Sequence, residues 1–304
     1  MISYAYWNQS LYAEGKKWCQ KVYEKREQMP AYLKIYANII HSMYFETPYE
    51  TIRYQRQLLE IDDQLPDVYT DLGLDYIRLE QYSRAIPELE KALEIYGNWE
   101  TKPIWIVNYL NLALAYHRTG QYKKVKSILE KAEKDFPGGT MLFYAQAIYS
   151  LDVGDTIAAN RYIEKYISNL KDNSSSEAVI TTGLAAIYLE AGIQDSTEKY
   201  YRQTLSLEPE NPVWMNNLAY FLIDKDRNTN EGLEHSDKAL KLKPDFYSYL
   251  HTKGWGLYKQ GKYKEALEIL QKSWDLRRQY AVYNHEAYLH LEAVKKVIAN
   301  QKNT

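Results

Sequence analysis

Apolar residues recur at three- and four-residue steps along nearly the whole chain, in paired runs separated by short polar turns. The pattern is clearest between Asp67 and Tyr96, where Tyr69, Leu72, Gly73 and Tyr76 share one face of a first helix, and Tyr82, Ala85, Leu89 and Ala92 share one face of a second. Such steps are the period of an amphipathic helix. A small residue recurs at one place in each pair, as Gly73, Ala113, Ala147, Ala185, Ala219 and Gly254, at gaps of 40, 34, 38, 34 and 35 residues. A degenerate copy centred on Ile39 lies 34 residues before Gly73. The small position predicts where the two helices of a pair pack most closely, with Gly73 meeting Ala85 and a larger side chain forcing them apart.

Later pairs repeat the scheme. One reads Tyr109, Leu112, Ala113, Tyr116, Gly120, Tyr122, Leu129, Ala132 and Pro137, with Val125 at its usual Ala place. Others read Phe143, Ala147, Gly154, Ala159, Ile163; then Leu184, Ala185, Tyr188, Gly192, Tyr201, Leu205, Pro209; then Leu218, Ala219, Gly232, Ala239, Leu240, Pro244; then Gly254, Gly261, Tyr263, Ala266, Leu270. Gly120, Gly192 and Gly261 fall where first helices end, a left-handed C-cap position. Pro137, Pro209 and Pro244 forbid continuation of the second helices.

From Tyr32 to Ser273 these residues resemble the tetratricopeptide repeat (TPR) signature: an aromatic, Leu-Gly, Tyr, then Ala, an aromatic or Leu, Ala and a closing Pro. The resemblance implies an all-α fold, a right-handed α-solenoid of antiparallel helix pairs (a TPR superhelix), in which neighbouring repeats bury what no single pair can. The expected organisation is a partial helix pair over 1–30, about seven repeats over 31–280, and a capping helix over 281–304 with Lys295 and Lys296 on its polar side.

At the front, Ile2–Trp7 reads as the last part of a first helix and Leu11–Met29 as its second. A solenoid that starts halfway through a repeat is expected to be a piece of a longer protein, and its exposed half-repeat is expected to stack on another copy. The stretches YWNQSLYAEGKKWCQKVYEKREQMP, YFETPYE, LLEIDDQLP and YNHEAYLHLEA resemble the C-terminal TPR half of bacterial multidomain signalling proteins, in which a Ser/Thr kinase, adenylate-cyclase-type or DNA-binding module and a TolB-like segment precede the repeats. This sequence carries no Gly-rich nucleotide loop and no H-R-D or D-F-G set, so no such activity is carried over.

Composition narrows the partners. A formal charge of −2 over 304 residues is not the basic surplus of a general nucleic-acid binder. No stretch approaches the ~18 apolar residues of a membrane span. The opening MISYAYWNQS has neither the basic nor the apolar region of a signal peptide, so the chain is expected to be cytoplasmic. Cys19, the single cysteine, sits in an apolar stripe and reads as a buried thiol. Tyrosine is used 31 times against 5 phenylalanines, which suits helix seams with one dry and one wet end.

Candidate chemistry is sparse. His285-Glu286 and His290 invite a zinc reading, but histidines five apart sit about 140° around a helix, not on one face. The remaining histidines fall in different repeats and suggest no ligand cluster. No nucleophile sits in a recognisable motif, so no catalytic residue, metal or cofactor is expected. Function is expected in the concave groove, which in TPR proteins is lined by the first helices. Carrying the family frame over, its fifth positions are Thr70, Leu110, Tyr144, Thr182, Asn216 and His251, and its ninth are Leu74, Leu114, Ile148, Ala186, Tyr220 and Trp255. The Lys and Asn set with which relatives grip a terminal carboxylate is missing. The peptide-binding candidates are Tyr144, Asn216, Tyr220, His251, Trp255 and Tyr258. Asn would bond a peptide backbone and the aromatics would supply anchor area; alternatively, Tyr220 and Trp255 pack against the neighbouring repeat. The expected function is a non-enzymatic scaffold for a partner protein or peptide, with a regulatory segment of a larger bacterial signalling protein as the alternative.

Overall fold

The computed structural model describes residues 2–302, and among them 17 α-helices and one 3₁₀ turn at Arg26–Gln28 occur, with no strand. The helices follow as pairs: α1 (Ile2–Asn8) and α2 (Tyr12–Tyr23), α3 (Ala31–Phe45) and α4 (Pro48–Leu59), α5 (Pro66–Arg78) and α6 (Tyr82–Asn98), α7 (Val107–Arg118) and α8 (Tyr122–Asp135). They continue with α9 (Thr140–Asp152) and α10 (Thr156–Asp172), α11 (Glu177–Glu190) and α12 (Gln194–Leu207), α13 (Pro212–Asp224) and α14 (Thr229–Leu242), α15 (Tyr247–Lys259) and α16 (Tyr263–Tyr280), and then α17 (His285–Lys302). The helix predicted from Ala281 begins four residues later, and residues 281–284 are not helical.

One turn recurs between partners and sets their reversal. The first helix ends on a left-handed residue, and the next amide reaches back five residues to a carbonyl: Gln121 to Tyr116 at 2.9 Å, Ile193 to Tyr188 at 2.8 Å, Lys262 to Leu257 at 2.9 Å. Gly120, Gly192 and Gly261 supply the conformation, at φ +72°, +71° and +76°. Glu80 and Asp226 do the same work at φ 56° and 52°, with the same back-bonds from Gln81 to Tyr76 and from Arg227 to Leu222. Ser10 closes α1 onto α2 in this way too, at φ 56°. The α3–α4 turn differs, because Thr47 and Glu50 form a capping box at the start of α4. Second helices stop two residues short of Pro137, Pro209 and Pro244, as α8, α12 and α14 do.

The small residues mark close approach. A β-carbon at Gly73 would lie 2.4 Å from Leu89 Cγ, and one at Gly254 would lie 2.6 Å from Leu270 Cγ. Leu89, not Ala85, therefore fills the gap that Gly73 leaves. At Gly232 the obstacle includes backbone, the Ala219 carbonyl oxygen at 2.9 Å, which explains a glycine where other repeats carry alanine. Ala147, Ala185 and Ala219 are each 0% exposed. Departures from a 34-residue gap trace to added chain. The 40-residue gap holds the 17-residue α6 and the stretch 99–106, where Ile104 and Trp105 are exposed; the 38-residue gap holds the 17-residue α10.

Two compact units divide the chain, the first up to Ala145 together with Arg278–His285, the second Gln146–Arg277 together with Glu286 onward. In the first, buried tyrosines keep their hydroxyls satisfied: Tyr96 donates to Asp67 at 2.9 Å, Tyr109 to Asp135 at 2.5 Å and Tyr44 to the Ser3 carbonyl at 2.5 Å. Lys16 is buried and donates to the carbonyls of Arg278 and Gln279, so residues of the chain's own C-terminal part cover this side of the N-terminal pair. Burial pulls the Lys16 ammonium down to about 8, with the Arg278 charge adding to it. Cys19 is buried as expected, and burial pushes its thiol up to about 12.

Two glycine exchanges are expected to act with opposite sign. Glu80→Gly relieves a left-handed residue and should stabilise by about 0.5–1 kcal/mol. Gly73→Ala gains helix propensity but drives a methyl into the branch point of buried Leu89, and should destabilise by about 1–3 kcal/mol. Urea unfolding of the two variants checks this, and a stable Gly73→Ala would remove close packing as the reason for that glycine.

Candidate functional site

Five of the six candidate residues belong to the second unit; Tyr144, half-buried on α9, belongs to the first. Helical spacing puts Asn216 and Tyr220 one turn apart on α13, and His251, Trp255 and Tyr258 along one side of α15. In the structure this face carries α17. Tyr220 donates its hydroxyl to the Glu286 carboxylate, and its ring lies over His251 at 5.9 Å. His251 Nε2 and His290 Nδ1 are 3.0 Å apart, one ring nitrogen donating to the other. The His290 ring stacks on Trp255 at 3.6 Å and 5° between planes, and Trp255 stacks on Tyr258 at 4.7 Å and 8°. Trp255 Nε1 donates to Asp224 at 3.3 Å, and Lys259 lies 5.4 Å over the indole while pairing with Asp226 at 2.8 Å.

Beneath these polar and aromatic contacts α17 is anchored by Ala287, Leu291 and Val294, all buried. Leu291 and Val294 join Leu257, Ala266 and Leu270 in one apolar cluster. The electrostatics keep both rings neutral. Burial, then the His290 and Arg277 charges, pull His251 down to about 3, and burial pulls His290 down to about 4 against the opposing Asp224 carboxylate. Arg277 lies 4.6 Å over the Tyr247 ring, and burial lowers its pKa while Glu286 and Tyr247 hold it up. Asn216 Oδ1 and Arg277 Nε are among the buried polar atoms without a hydrogen-bond partner.

The face thus binds a helix through a hydroxyl–carboxylate contact, a ring stack and an apolar base. The sequence reading missed the second half of this arrangement. It treated the histidines as scattered, whereas His251 and His290 meet 39 residues apart in sequence. The available signal was the spacing of Glu286 and His290 by one helical turn, beside Ala287, Leu291 and Val294 at core spacing. Among the described residues no group of three or more His, Cys, Asp or Glu could hold a metal ion, and no helix is long and apolar enough to cross a membrane.

Family models described as tetratricopeptide repeat match residues 49–136 and 248–287. Over those two stretches the chain carries tetratricopeptide repeats. It is similar to the peroxisomal targeting signal receptor of Candida albicans, at 26% identity over 222 residues, 70% of this chain and 35% of that protein. A TPR repeat-containing protein of Pseudomonas aeruginosa is 36% identical over 94 residues, 31% of this chain and 15% of that protein. The chain therefore spans well under half the length of either relative. Among solved structures, yeast Tom70 gives a TM-score of 0.51 at 15% identity, covering 91% of this chain and 59% of that one. At that identity the likeness is one of fold, the stacked helix pairs of TPR proteins.

The neutral ring pair makes this part of the helical array acid-sensitive. Both histidines titrate lower when folded than their ordinary 6.5, so the stability they carry is fully present above pH 6.5 and is lost as pH falls towards 4. By pH 4.5 each ring should have cost about 2 kcal/mol relative to pH 7. Urea unfolding of wild type and of His251→Gln/His290→Gln across this range checks it. A pH slope that the double substitution leaves intact would sink the assignment.

Proposed function

We propose that the chain is a non-enzymatic interaction scaffold that binds a peptide or helix of a partner protein on the α13–α15 face. TPR repeats are typical of protein-interaction scaffolds. The observation that carries the reading is the seating of α17 on this face, through Tyr220, His251 and Trp255. A surface that holds one helix by stacking and hydrogen bonds has the chemistry to hold another. Trp and Tyr are also the residues that most often dominate a binding energy. The Candida relative, named as a receptor for a targeting signal, supports a recognition role at the level of resemblance.

A regulatory segment of a larger bacterial signalling protein is a narrower form of the same reading. It is favoured by the same contact, since a face with a built-in occupant is one whose availability is controlled. Self-association through the N-terminal pair gains nothing from the structure, because Arg278 and Gln279 already lie against Lys16.

The test is a peptide-library titration of the full chain against Tyr220→Ala/Trp255→Ala, with circular dichroism verifying the fold. Selected peptides should lose at least about tenfold in affinity, the usual size of a hot-spot loss. Unchanged affinity in a folded double variant rules the face out.

A further inference from the structure

The contacts made by α17 describe what the face selects. This inference rests on the interaction reading above and adds the partner's chemistry. On α17 a carboxylate (Glu286) and a flat ring (His290) stand four residues apart, with Leu291 and Val294 five and eight residues after the carboxylate. Each has its own receptor: the Tyr220 hydroxyl for the carboxylate, with Arg277 close enough to feel its charge; Trp255 and His251 for the ring; Leu257, Ala266 and Leu270 for the apolar pair. The fit is nevertheless incomplete. Asn216 Oδ1, one turn before Tyr220 on α13, stays buried without a donor, and Arg277 Nε stays buried without an acceptor. The attachment of α17 also permits exchange. Residues 281–284 leading into it are not helical, Glu286 is exposed, and Tyr288 and Leu289 face solvent at 38% and 43% exposure.

We infer that α17 is an exchangeable occupant, and that the partner replacing it is an amphipathic helix bearing a carboxylate, a flat ring four residues later, and aliphatic residues five and eight residues after the carboxylate. The tether favours α17 through its high effective concentration, so a foreign helix competes only where its own contacts with Tyr220, Trp255 and the apolar base outweigh that advantage.

A labelled synthetic peptide of residues 285–302 serves as the probe, titrated into the full chain by fluorescence anisotropy. Wild type should bind it weakly, because its own helix competes. A chain carrying Glu286→Gln, a change at an exposed position that leaves the apolar base intact, should bind the unmodified peptide about tenfold more tightly than wild type does. Adding Trp255→Ala to that chain should cancel the gain. A peptide carrying Glu286→Gln and His290→Ala should bind about tenfold more weakly than the unmodified one. Equal affinity for the two peptides, or no gain in the folded Glu286→Gln chain, overturns the proposal. Sedimentation that finds copies exchanging α17 with each other makes the occupant a second copy and also overturns it. Library peptides that bind through Trp255 without the carboxylate–ring spacing leave the scaffold reading standing and overturn this one.

Discussion

Two helices lie side by side at short range only where neither carries bulk at the crossing, and the pairs of this chain are organised around that restriction. Leu89 lies over the bare α-carbon of Gly73 and Leu270 over that of Gly254, and the Ala219 carbonyl leaves no room for a side chain on Gly232. Because the second helix comes so close, its leucines reach the interior of their own pair, and the outward apolar faces are left for the next pair to cover. Tyrosine suits those seams because its ring packs dry while its hydroxyl reaches an acid on a neighbouring helix, as with Tyr96 and Asp67.

Much of this was legible from residues alone, because period and punctuation are local properties. Apolar steps of three and four, Gly at the ends of first helices and Pro after second ones specify helix, turn and stop without long-range information. Sequence did not show that Glu80 and Asp226 adopt the glycine conformation, since Glu rarely enters it and Asp, though more tolerant, is commonest elsewhere. Nor did it show which side chain crosses the small position, because the register of one helix against another depends on packing that the period leaves open. The candidate face was legible on one side only. The repeat frame names Asn216, Tyr220, His251 and Trp255, but α17 lies outside the frame, and the spacing of its histidines speaks to metal binding alone, not to a seat beside those residues. Tyr144 shares their place in the frame, yet it belongs to the other compact unit.

The face owes its character to uncharged rings. His251 and His290 would repel if both carried protons, and neither ring would then offer the nitrogen acceptor their contact needs; burial holds them neutral and lets them stack. The surrounding charges, Asp224, Asp226, Lys259, Glu286 and Arg277, stand at the margin of the stack. Specificity at the edge and area at the centre is the division seen in strong protein interfaces.

Lys16 holds the carbonyls of Arg278 and Gln279 across sequence separations of 262 and 263 residues. An array stabilised by nearest neighbours alone can assemble in the order in which a ribosome releases it. A clasp this distant cannot close until Arg278 and Gln279 have emerged, and closing so long a loop carries an entropic penalty that local contacts avoid. Helices α1 and α2 are thus made well before they are completed, and the waiting period is when a chaperone or protease would find them open.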